Sequence, residues 1–182
     1  MSKIVFKILL LFASVVLVMP VMAQIKKPTP TPTPEKKKIE YVLPYPGILP
    51  DHPLYVLKKV RDYILDKLIV DPVRKTEFYV LQADKRLNMG LFLAGRGKLI
   101  LAEQTISKGE KYLDKAIGGF VALRREGKPV PGHVTDRLEK AMAKHIEVLE
   151  EMIGRAEGDY KTGLAGSLEL VKRLQENFTK AK

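Results

Sequence analysis

The sequence predicts an all-α protein: an antiparallel bundle of four to five helices preceded by an extended proline-rich strap. Three observations carry that prediction. Beyond Leu54 apolar residues recur at helical steps of three and four, no stretch reads convincingly as a strand, and the runs stop where breaker residues cluster, at Asp71-Pro72, Gly95 to Gly97 and Gly127 to Gly132. The chain has 182 residues and no cysteine. That excludes a disulfide framework, a cysteine-linked lipid anchor, thiol zinc sites and thiol nucleophiles, and it leaves packing to stabilise the fold.

The first segment, residues 1–23, is built like a secretory signal, with Lys3 and Lys7, an apolar run from Ile8, then Pro20 and a V-M-A ending at Ala23. Cleavage between Ala23 and Gln24 is the favoured expectation. The alternative is an uncleaved membrane anchor, since Ile8 to Ala23 approaches the length of a spanning helix. Both place the rest of the chain outside the cytoplasm, either secreted or tethered to the outer face of the cytoplasmic membrane. Residues 24–40 read as a disordered Pro-Thr/Lys linker, in which Pro28, Pro30, Pro32 and Pro34 alternate with threonine and favour a stiff polyproline II stalk.

The formal net charge of +11 has to be located before it is interpreted. Lys3 and Lys7 lie in the first segment, and residues 24–38 hold five lysines against Glu35, so about half of the excess precedes residue 39. Nucleic acid is not expected as a partner of an exported chain. An unknown protein, an anionic envelope polymer or lipid headgroups are the expected partners.

The helical domain is expected over residues 41–182: a strap over 41–53, three helices over 54–126 and two over 131–180. Pro44, Pro46, Pro50 and Pro53 forbid a helix through the strap, while Tyr41, Leu43, Tyr45, Ile48 and Leu49 make it too apolar for a free linker. It is expected to pack on the bundle as a structural clasp. Asp51 or His52 would cap the first helix, Pro53 would sit in its opening turn, and Leu54, Tyr55 and Leu57 would lock it down.

The first helix carries a stripe of Leu54, Leu57, Val60, Ile64 and Leu68, expected to face the core. Asp71 and Pro72 then read as the cap and first turn of a second helix, whose stripe is Val73, Thr76, Val80, Ala83, Leu87, Gly90 and Ala94. Gly95 to Gly97 end it. The third helix repeats the spacing from Leu99 through Ala102, Ile106, Gly109, Leu113, Ala116 and Phe120 to Leu123, which is a heptad seam. The small residues on both stripes predict a closely packed hairpin, and Gly118 and Gly119 predict a bend or local break.

Gly127, Pro129, Pro131 and Gly132 separate the third helix from a fourth, with Val134, Leu138, Met142, His145, Leu149, Met152 and Ala156 along its buried side and Gly158 as its stop. Asp159 is expected to cap a fifth, whose stripe runs from Tyr160 through Leu164, Ser167, Val171 and Leu174 to Phe178.

Candidate chemistry is sparse. His145 lies in an apolar stripe with Glu147, Glu150 and Glu151 nearby in sequence; it is the one candidate metal ligand, and the expectation is a satisfied core or edge histidine. Asp84 beside Lys85, Glu110 beside Lys111 and Lys115, and Glu77 near Arg74 read as solvated helix faces. Ser107 and Ser167 stand in no nucleophile elbow, and the run from Gly90 to Lys98 lacks the Ser or Thr and the strand of a phosphate loop. Ala83 to Ile117 is loosely similar to a tetratricopeptide helix pair, without a second copy. No catalytic residue and no cofactor is expected.

The stretch PDHPLYVLKKVRD, from Pro50 to Asp62, resembles a bacterial family of extracytoplasmic helical domains known only as a domain of unknown function. Its members show a proline-flanked P-L-Y-x-L-K opening, an arginine-bearing helix and an A-x-x-R-L helix. Here those are Pro53, Leu54, Tyr55, Leu57 and Lys58, then Arg61, and later Ala83, Arg86 and Leu87, after the lead-in Pro50, Asp51 and His52. The resemblance covers about Tyr41 to Ile117 and implies a secreted or surface-tethered helical domain without an assigned activity. A looser likeness is to periplasmic helical-hairpin proteins that sense envelope stress or metal. The expected function is a non-enzymatic interaction or structural module of the cell envelope, the alternative a sensor of stress, metal or a small ligand.

Overall fold

The computed structural model describes residues 38–182; the segment 1–23 and the linker up to residue 37 lie outside the described residues. Five helices follow one another: α1 (Tyr55–Leu68), α2 (Pro72–Gly95), α3 (Leu99–Arg125), α4 (Gly132–Gly154) and α5 (Gly158–Ala181). Among the described residues there is no strand. No described helix is long and apolar enough to cross a membrane.

The helix ends follow from local chemistry. The Asp71 carboxylate accepts the Arg74 N–H at 2.7 Å, and Pro72 occupies the first turn, so α2 starts where an orphan donor is satisfied and a missing one costs nothing. At the far end Gly97 has φ of 74°; its N–H reaches the Ala94 carbonyl and the Lys98 N–H reaches Leu93, the paired bonds of a Schellman stop. Gly127, with φ of 67°, closes α3 in the same way onto Arg124 and Leu123.

Helices α2 and α3 form the tightest pair, because Gly90 and Gly109 remove the side chains at their crossing. A Cβ on Gly90 would lie 2.2 Å from Ile106 Cγ1, and one on Gly109 would lie 3.0 Å from Arg86 Cβ. Helices α4 and α5 form a second antiparallel hairpin. Across the hairpins α3 packs along α5 and α2 along α4, giving a four-helix ring with α3 and α4 on its diagonal. Phe120 stacks on Phe178 at 4.7 Å between ring centroids, and Arg124 donates to the Lys182 carbonyl, so α3 and α5 run in the same direction. One continuous core joins the two hairpins, with Leu87, Ile106, Leu113, Phe120, Leu138, Met142, Leu149 and Leu164 sealed inside it. The stripes expected for α2 to α5 are the buried ones, except at Leu99, which is exposed, and at Val73, Ala94 and Tyr160, which are half-buried.

Four local expectations are corrected. Helix α3 passes through Gly118 and Gly119 without a break, because packing outweighs the propensity cost of about 1 kcal/mol per glycine, and Gly119 leaves room for Thr76. Helix α4 ends at Gly154, four residues before the expected stop, and Gly158 (φ of 55°) opens α5 instead. Asp159 lies in the first turn of α5, where its charge suits the helix dipole, but makes no cap. Helix α1 starts after Leu54 with no side-chain cap: the His52 Nδ1 accepts the Leu54 N–H, and Asp51 faces away to Lys98.

The fifth correction is larger. On α1 the apolar stripe faces outward, with Leu57 66% and Leu68 68% exposed and Leu54, Val60 and Ile64 about half so, while Lys58 and Asp62 are the buried residues. The reason lies in α2, which carries a second buried stripe of Gln82, Arg86, Met89 and Leu93. A buried guanidinium needs a counter-charge, so the face of α1 that meets it is the polar one. Helix α1 is absent from the closely packed helix pairs and adheres through these polar contacts.

Candidate functional site

Two constellations stand out, one sealed in the bundle and one on its surface. In the first, His145 of α4 is fully buried between two carboxylates that are themselves fully buried. Its Nδ1 lies 2.9 and 3.0 Å from the Glu110 oxygens on α3, and its Nε2 lies 3.2 Å from Asp84 Oδ1 on α2. The second oxygen of Asp84 accepts the Tyr41 hydroxyl at 2.6 Å and faces Arg137 at 3.6 Å. Burial alone would lower the pKa of the imidazole, but the Glu110 and Asp84 carboxylates outweigh it and lift it to about 10. The ring is therefore an imidazolium with both N–H groups donating. Two acids, His145 and Arg137 make a charge-balanced group, the condition under which buried ions persist.

This arrangement bears on the metal question. A ligating imidazole presents a lone pair, whereas both nitrogens of His145 are committed to carboxylates on opposite edges of the ring. Among the described residues no group of three or more His, Asp or Glu side chains is placed to hold a metal ion. Asp84 and Glu110 also correct the expectation of solvated faces. Adjacent positions on a helix do not face each other, so Lys85 and Lys111 are not their partners. Asp84 is four residues from Val80 and three from Leu87, and Glu110 is four from Ile106 and three from Leu113; that spacing sets both acids on apolar faces.

Burial and the Asp84 carboxylate together hold the Tyr41 phenol well above its usual range. Further contacts fix the lead-in: the Ile39 N–H donates to Glu147 at 2.6 Å, Asn88 donates to the Pro44 carbonyl at 2.9 Å, and the Lys58 ammonium donates to the Pro46 carbonyl at 2.9 Å. Burial, foremost, pulls Lys58 down to a pKa of about 8.

The residues of the PDHPLYVLKKVRD motif separate. Asp51 pairs with Lys98 at 2.8 Å and Arg96 at 3.4 Å; its hydrogen bond to Lys98 is the main cause that holds the carboxyl below its usual range. Pro50 is half-buried and Pro53 exposed. Tyr55 is half-buried beneath the Lys58 ammonium, and Arg61 lies exposed with its guanidinium on Asp62 at 2.7 Å. Leu54 and Leu57 point to solvent.

The second constellation is the outer side of α1. Val56, Leu57, Val60, Tyr63, Ile64 and Leu68 form one exposed apolar strip, with Lys59 along one edge and Arg61 along the other. Below the Lys59 edge, between α1 and the α2–α3 pair, runs a cleft of about 640 Å³. Lys59, Lys67, Lys108, Lys111 and Lys115 line it against the carboxylates of Asp62 and Asp66. Its floor is aromatic: the Arg86 guanidinium lies 4.1 Å from the Tyr112 ring centroid and Lys115 5.2 Å from the same ring. Burial, foremost, and then the nearby Asp66 carboxylate raise the Tyr79 phenol to about 12. The sequence held the signals for this side of α1, namely the i,i+4 pair Lys58 and Asp62 opposite the apolar stripe, and Arg86 spaced with Gln82 and Met89.

A family model described as a domain of unknown function (DUF5667) matches residues 47–158, from within the lead-in to the start of α5. No curated protein matches the chain, and no solved structure does.

Proposed function

The chain belongs to this family of domains of unknown function (DUF5667), and from that premise we propose that its helical domain is a non-enzymatic interaction module of the cell envelope, working outside the cytoplasm and docking through the outer face of α1. One observation carries the reading: a helix held to its domain by polar contacts turns its apolar strip to solvent. A strip of contiguous large apolar side chains costs solubility unless something covers it, and in soluble proteins such strips mark interaction surfaces. The non-enzymatic part is supported by the sealing of the histidine–carboxylate group, which no substrate reaches. The signal-like residues 1–23 support the location.

The absence of cysteine makes a direct test available, because a single Ile64→Cys substitution gives one labelling site. An environment-sensitive fluorophore there is expected to shift to the blue when an occupant covers α1. Lipid vesicles, anionic envelope polymer and raised concentrations of the protein itself are the occupants to offer. A label that stays solvated with all three contradicts the reading.

A further inference from the structure

We propose that the occupant of the outer face of α1 is an anionic lipid surface, so that the domain lies against a membrane with α1 in the headgroup layer. This rests on the docking role of α1 and names its partner. Charge complementarity carries the choice. A peptide or second copy would be served by the apolar strip alone, but here Lys59 borders the strip on one edge and Lys67 lies within it near the C-terminal end, while Arg61 on the other edge is paired with Asp62 at 2.7 Å. On the Lys59 side the cations continue onto α3, where Lys108, Lys111 and Lys115 share the cleft with α1.

Apolar side chains beside a basic border are the pattern of helices that lie in a membrane interface, where apolar burial and attraction to anionic headgroups act together. Tyr63, exposed and beside Lys67 at 5.7 Å, suits the headgroup boundary, where a ring is dry at one end and wet at the other. A second copy of this chain is disfavoured by the same charges, since an isologous α1–α1 contact sets one basic border against its duplicate. The polar inner face, with Lys58 on Pro46 and Asp62 beside Arg86, keeps α1 attached while its outer side is in lipid.

The test uses full-length protein labelled at Val60→Cys, Ile64→Cys or, as a control on the exposed side of α5, Glu169→Cys. A probe on α1 reports that helix whatever residues 1–23 do. With phosphatidylglycerol-containing vesicles the two α1 labels are expected to blue-shift and to be quenched by bromolipid, and the α5 label to do neither. With phosphatidylcholine vesicles the apparent affinity should fall roughly tenfold, and about 0.5 M salt should have the same effect. The double change Lys108→Gln, Lys111→Gln, which spares Lys115 over the Tyr112 ring and sets no new carboxylate against Asp62 and Asp66, should likewise weaken the shift roughly tenfold or more with the melting temperature preserved.

Three results overturn the proposal. A shift that depends on protein concentration and ignores lipid assigns the face to a second copy, and a shift with envelope polymer alone assigns it to that polymer; both keep the docking role and remove the membrane. A label that stays solvated throughout removes the docking role as well.

Discussion

At the scale of single residues, His145, Asp84 and Glu110 are the most tightly constrained. Replacing His145 by leucine leaves two buried carboxylates with their central cation gone, and the expected loss is about 3–5 kcal/mol in chemical denaturation. The pH dependence has a definite sign. The folded imidazole binds its proton more tightly than the unfolded one, from 6.5 to about 10, so its stabilising contribution is complete below about pH 6.5 and disappears as pH rises towards 10. Subtracting the stability curve of His145→Gln from that of the wild type isolates this contribution, which should shrink steadily between those limits; a difference that grows with pH contradicts the assignment. That His145 would be buried and satisfied was legible from its place between Met142 and Leu149. Its partners were not, because a carboxylate beside a lysine in sequence resembles a surface pair, and only the phase of Asp84 relative to Val80 and Leu87 separates the two.

At the scale of elements, two glycine substitutions on adjoining helices should move stability in opposite directions. Gly90→Ala puts a methyl into Ile106 at the α2–α3 crossing and is expected to cost about 1–3 kcal/mol. Gly118→Ala adds its methyl to open space on α3 and removes backbone freedom from the unfolded chain, so a gain of about 0.5–1 kcal/mol is expected. Thermal melting of both variants distinguishes a crossing that needs glycine from a helix that merely tolerates it. Helices α2 to α5 were legible in the sequence to within a turn or so, since each has a long stripe, and Asp71, Gly97 and Gly127 bound them by chemistry readable from residue type. Helix α1 was legible as a helix but not in orientation. Periodicity tells which residues share a face; it does not tell which face turns inward, and a buried Arg86 on the neighbouring helix decided that against the apolar stripe.

At the scale of the whole molecule, the short links implied successive antiparallel helices but not the diagonal passage from α3 to α4, which sets α3 alongside α5. Nor did they reveal how the lead-in reaches the buried charges through Tyr41. Tyr41→Phe removes one donor from Asp84 and is expected to cost about 1–2 kcal/mol by denaturation, with protection of the lead-in amides from hydrogen exchange falling first. Helix α1 turns its apolar side to solvent, and the docking role proposed for it requires that this side is not part of the core. The most direct measurement is the melting temperature of the double variant Leu57→Asp, Ile64→Asp. Exposed positions tolerate such changes within about 0.5 kcal/mol each, so a melting temperature within a few degrees of the wild type is expected. A fall of more than about 10 °C would mean that the stripe is core after all and that α1 has no free apolar face with which to dock.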